Sequence, residues 1–132
     1  MTPIALPITS LTALFSGLLI LALTLRVVQL RRRGGVVLGD NDDRMLVKAI
    51  RGHANAVEQL PIALILMGLA ELQGGPLGLL VLGALILVMG RALHGLYFAV
   101  HGTNWRFRVV GMWMTLLAQV VLIAALAITL IG

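Results

Sequence analysis

The chain has no cysteine, and its 132 residues include only five acidic side chains, one tyrosine and four prolines. Without cysteine there is no disulfide frame, no thiolate nucleophile and no thiolate metal site. The three histidines, His53, His94 and His101, are scattered, and no HExxH or similar spacing groups them as metal ligands. Charged residues make up 11% of the chain against 60% hydrophobic, and mean hydropathy is +1.05, which excludes an ordinary soluble domain. A cleavable signal peptide is not expected. The N-terminal apolar run is too long, no basic residue precedes it, and arginines close it as in a stop-transfer segment.

What the chain has instead is apolar length. Four stretches, 4–25, 54–72, 77–100 and 109–131, approach or exceed the roughly 20 helical residues that cross about 30 Å of hydrocarbon. The expected fold is an all-α integral membrane protein, one four-helix bundle covering 1–132. Gln73-Gly74-Gly75-Pro76 breaks the chain between the second and third spans. The first loop is longer and polar, and Asp42 or Asp43 is a suitable N-cap for a polar lead-in helix that runs into the second span.

The formal net charge is +5, and its distribution matters more than its size. Seven of the ten basic residues fall between Arg26 and Arg51, and the others are Arg91, Arg106 and Arg108. All ten adjoin the first or third loop. The positive-inside rule puts those loops in the cytoplasm and both termini outside. Tyr97, Trp105 and Phe107 gather at the same rim, as an interfacial aromatic belt does. The basic residues border apolar spans, so the membrane accounts for them and no nucleic-acid partner is expected. The Arg31-Arg32-Arg33 cluster is read as a topology determinant in contact with anionic lipids.

Polar residues inside the spans carry the functional signal. Arg51, Asn55 and Glu58 stand at i, i+4 and i+7, one stripe of a helix. The stripe runs into Ile62–Ala70, which has no polar side chain, so Glu58 lies within the apolar part. An ionisable group there is costly and usually paired or functional. A second stripe, Arg91, His94 and Phe98, lies late in the third span, bordered by Tyr97 and His101. In an antiparallel bundle the two stripes reach similar depth, so a Glu58–Arg91 ion pair is expected, either fixing register or serving a ligand. Asn55 has a plainer reading as interhelical glue. Pro61 is a kink site, His53 faces away from the stripe, and Glu71 and Gln119 stand isolated.

The pattern R-x-H-A-N-x-x-E-x-x-P at Arg51–Pro61 resembles the MAPEG family, the membrane-associated proteins of eicosanoid and glutathione metabolism. Arg31 and Arg32 after the first span, Gly90-Arg91-Ala92-Leu93-His94 in the third, and Arg106 and Arg108 before the fourth agree with it. The resemblance implies a homotrimer of four-helix protomers that binds glutathione, as co-substrate, at the cytoplasmic side between protomers. It implies that Arg51, Asn55, Glu58 and Arg91 hold glutathione, with His94 and Tyr97 beside them and Arg31 or Arg32 at a first-loop position. It further implies that Arg106 or Arg108 sits by the thiol. Gln59 and Phe98 stand where several mammalian members have tyrosine, which points to a bacterial-type, inner-membrane branch.

The function implied is a glutathione-dependent transferase or peroxidase acting on a small lipophilic electrophile. The alternative is a non-catalytic membrane protein of the same fold that binds a lipid or a partner. A small proton-coupled exporter using Glu58 is a third reading, less suited to arginines crowded at one face.

Overall fold

In the computed structural model, which describes residues 5–131, four helices follow one another with short connections. They are α1 (Pro7–Gly34), α2 (Arg44–Leu72), α3 (Leu77–Ala99) and α4 (Trp105–Ile131). Each is long and apolar enough to cross a membrane. Ile4, where the first apolar stretch was expected to begin, lies outside the described residues.

α1, α2 and α4 extend past their apolar stretches at the basic end, whereas α3 stops at Ala99, one residue short of its own. Hydropathy marks where a helix is greasy, whereas caps decide where it stops. Thus α1 continues through Arg31, Arg32 and Arg33, whose charges complement the carbonyl end of the helix dipole. It ends at Gly35, whose φ of 64° is the left-handed cap that glycine adopts without steric cost. The N-cap of α2 is Asp43, whose carboxylate accepts from Met45 N (2.8 Å) and Leu46 N (3.4 Å). Asp42 lies outside the helix at φ 56°. The fourth helix starts four residues before the expected 109, because Asn104 Oδ1 accepts from Arg106 N at 3.0 Å and opens the turn early.

Glu71 and Gln119, expected to stand isolated, both tie helices together. The start of α1 has Pro7 in its first turn and no local side-chain cap. Instead Glu71, at the end of α2, accepts from Ile8 N (2.9 Å) and Thr9 N (2.8 Å). A carboxylate on the donor end of a helix is favourable by charge and by hydrogen bonding. In the apolar interior, Gln119 of α4 donates to Gln59 Oε1 (3.1 Å) and to the Gln59 carbonyl (3.3 Å) of α2.

Small residues set the helix spacing. Buried positions of α2 include Ala49, Ala56, Ala63 and Ala70, one seam repeating every seven residues. α3 and α4 are in the most intimate contact. A Cβ on Gly90 would stand 2.8 Å from Met114 Cβ and 2.9 Å from the Gly111 carbonyl oxygen. A Cβ on Gly111 would meet the backbone of Gly90 and His94 just as closely. Packing rather than a hydrophobic force drives helix association in lipid, and such close approach is how it is obtained. Large side chains face outward, with Leu14 62%, Leu85 57% and Val120 61% exposed, the reverse of a soluble protein.

Candidate functional site

At the basic end of the bundle, α2, α3 and α4 enclose an open cleft of about 940 Å³. α2 contributes Arg44, Lys48, Arg51, Asn55 and Glu58 to its wall. These residues are spaced four, three, four and three apart, so a single face of one helix carries them all. α3 contributes His94, Tyr97 and Phe98, and α4 contributes Arg108, Met112, Trp113 and Leu116. Gly52 is what allows α3 so close, since a Cβ there would collide with the Phe98 side chain. Phe98 packs against both His94, tilted by 44°, and Tyr97, edge to face at 87°, with ring centroids 4.9 Å apart in each case.

Arg91 stands behind this wall. It is fully buried at 0% exposure and does not line the cleft. Its Nη1 donates to Asn55 Oδ1 at 2.9 Å, its Nη2 lies 3.4 Å from His94 Nδ1, and its Nε has no partner. None of its nitrogens meets a carboxylate, so the expected Glu58–Arg91 pair does not form. The reason is angular. Asn55 is the member of the α2 stripe turned toward α3, whereas Glu58 lies on the exposed side of α2.

The other candidates fall into two groups. Arg51, Asn55, Glu58, His94, Tyr97 and Arg108 are brought together on the cleft. Arg31 and Arg106 are not. Arg31 is directed to its own loop, where Nη1 donates to the Val37 carbonyl at 3.3 Å. Arg106 is exposed and lies off the cleft. Positions two apart on a helix point about 200° from each other, so Arg108 facing the cleft carries Arg106 away from it.

Sequence reasoning missed Arg44 and Lys48, although their spacing continues the Arg51 stripe by two more steps. Lys48 does two things. Its Nζ lies 4.0 Å from the centroid of the Tyr97 ring, and it donates to the Val100 carbonyl at 3.2 Å, satisfying the C-terminal end of α3. Arg108 approaches the same ring at 5.8 Å. Two cations thus approach the ring of Tyr97, which lines the cleft. Among the described residues no cluster of three metal-ligating side chains exists.

The cleft therefore combines four cations, one carboxylate and the polar groups of Asn55, His94 and Tyr97 with an apolar flank on α4. It suits a zwitterionic or anionic ligand with an apolar part directed toward the bilayer. Comparison with known proteins agrees with the four-span membrane architecture. The MAPEG family model matches residues 9–128. Two proteins called inner membrane protein YecN, from two strains of Escherichia coli, are each 36% identical to this chain over 116 residues. That region is 86% of this chain and 87% of each relative.

Proposed function

Because this chain belongs to the MAPEG family, we propose that it is a glutathione-dependent transferase or peroxidase of the bacterial inner membrane, acting on lipophilic electrophiles. The observation that carries the reading is the convergence of Arg51, Asn55, Glu58 and Arg108 on one cleft with an apolar flank. Glutathione has two carboxylates, one ammonium and a thiol. The donor set fits it group by group. Arg51 and the cations beside it, Arg44 and Lys48, match the carboxylates, Glu58 matches the ammonium, and Asn55 adds directional hydrogen bonds.

Arginine suits carboxylates because its planar fork binds them through two parallel bonds and keeps its charge when partly buried. Arg108 is the cation left for the sulfur. A thiol is a poor nucleophile until ionised, and a nearby cation lowers its pKa by about 1–3 units. The apolar flank of Met112, Trp113 and Leu116 lets a lipophilic second substrate approach from the bilayer. The thiolate sulfur would then form a bond to an electrophilic carbon as the leaving group departs with its electron pair. With a peroxide it would attack one oxygen, breaking the O–O bond to release an alkoxide that takes up a proton, and a second glutathione would convert the resulting sulfenic acid to disulfide and water.

Calorimetric titration of the purified protein with glutathione tests the reading. Saturable binding by the wild type, lost or strongly weakened in Arg51→Ala, is expected. No heat of binding in the wild type removes it. Binding without turnover of any lipophilic electrophile leaves the non-catalytic alternative.

A further inference from the structure

The buried guanidinium of Arg91 fixes more than its own position. A guanidinium has only donors and no acceptor. The Asn55 atom that faces it at 2.9 Å must therefore be the carbonyl oxygen, whichever way an amide could otherwise be turned. The same holds for the ring nitrogen of His94 that faces it at 3.4 Å. That Nδ1 must offer a lone pair, since a proton on it in the neutral ring would set donor against donor, and a proton on each nitrogen would set a second cation against the first. The remaining proton of His94 is therefore on Nε2, and the remaining groups of Asn55 are the two N–H bonds of Nδ2.

Both side chains line the cleft. Among the described residues, the buried side-chain polar atoms without a partner are Thr9 Oγ1 and Arg91 Nε, so neither Asn55 Nδ2 nor His94 Nε2 is sealed away. Neither makes a hydrogen bond among the described residues. They are the unspent donors of the inner wall.

We infer that Arg91 is a positioning residue that turns the inner wall of the cleft into a donor surface, so that the ligand group lodged against Asn55 and His94 is an ionised carboxylate. The inference rests on the proposed function for the ligand's identity but not for the polarity of the wall. A site of this kind discriminates. A carboxylate meets two or three N–H donors in charge-assisted bonds, a neutral amide can offer them only its one oxygen in weaker bonds, and an ammonium would set donor against donor and leave buried groups unpaired. Phe98, packed against the His94 ring with centroids 4.9 Å apart and planes tilted by 44°, restricts the rotation of the imidazole.

The direct test is nitrogen NMR of protein labelled at its three histidines, with His94 assigned by loss of its signals in His94→Gln. The expected spectrum shows His94 neutral, with a protonated Nε2 and an unprotonated Nδ1, before any ligand is added. In Arg91→Met the preference should relax to a mixture of tautomers. A wild-type His94 protonated on Nδ1, or on both nitrogens, overturns the proposal even where Arg91→Met fails to fold. The second arm is Asn55→Asp, titrated with glutathione. This change gives Arg91 a carboxylate partner, so the melting temperature should hold or rise. It also replaces the donors at the wall by an anion, so glutathione affinity should fall roughly tenfold or more. Wild-type affinity in Asn55→Asp overturns the proposal. Failure of the wild type to bind glutathione at all would sink the proposed function instead, and the tautomer would then decide this inference alone.

Discussion

At the scale of single residues, the α2 stripe was legible because spacing along one helix needs no partner to be read. Arg51, Asn55 and Glu58 share a face in any α-helix, and the structure puts that face on the cleft. Contacts between distant residues were not legible. Glu71 caps α1 from 62 and 63 residues away, and no local pattern announces such a pairing. The expected partner of Arg91 was chosen by charge, whereas the helix rotation that decides between Asn55 and Glu58 is a property of the packed bundle. The choice between Arg106 and Arg108 failed to resolve for the same reason. The Glu71 cap makes a checkable prediction. Glu71→Ala should destabilise the protein by about 1 kcal/mol, the usual worth of a helix cap, seen as a lower midpoint of thermal unfolding in detergent. An unchanged midpoint would mean that water or lipid headgroups replace the carboxylate without loss.

Helix pairs carry the next set of consequences. α3 and α4 meet through Gly90 and Gly111, with backbone rather than flexible side chain as the obstacle to any larger residue. Gly90→Ala should therefore push the two helices apart and cost roughly 1–3 kcal/mol, the range for overpacking a close contact. Because Arg91 follows it directly, glutathione affinity should fall along with the melting temperature. A Gly90→Ala protein of wild-type stability would show that the helices separate freely. The α2–α4 register depends on a different contact, the amide pair of Gln59 and Gln119. A double-mutant cycle with Leu at each position should return a coupling of about 0.6 kcal/mol, typical of hydrogen bonds between membrane helices. Zero coupling would mean that Ala seams and Gly contacts alone set the register. The sequence showed neither device, because a glycine or glutamine within an apolar run does not say which helix it faces.

For the molecule as a whole, the four-helix membrane architecture was legible from apolar length, and the placement of the arginines sets the expected orientation, with both termini outside. Reporter fusions at the C-terminus are expected to read outside the cytoplasm. A cytoplasmic C-terminus would move the cleft away from cytosolic glutathione. The assembly follows from depth. Glu58 is 14 residues from Leu72, about 21 Å along the helix at 1.5 Å per residue, and it is exposed on the protomer. A carboxylate facing lipid at that depth is costly, so further copies are expected to cover that face of α2. Native mass spectrometry in mild detergent should count three chains, and a stable monomer that binds glutathione would contradict that. The central claim is that the cleft holds glutathione with its sulfur beside Arg108, and the thiolate absorbance of bound glutathione against pH tests it most directly. A free thiol ionises near pH 8.5. The wild type should show bound thiolate well below that, Arg106→Leu should match it, and Arg108→Leu should titrate like free glutathione. A wild type saturated with glutathione that shows no such thiolate, or an Arg108→Leu curve that overlays it, would contradict the account.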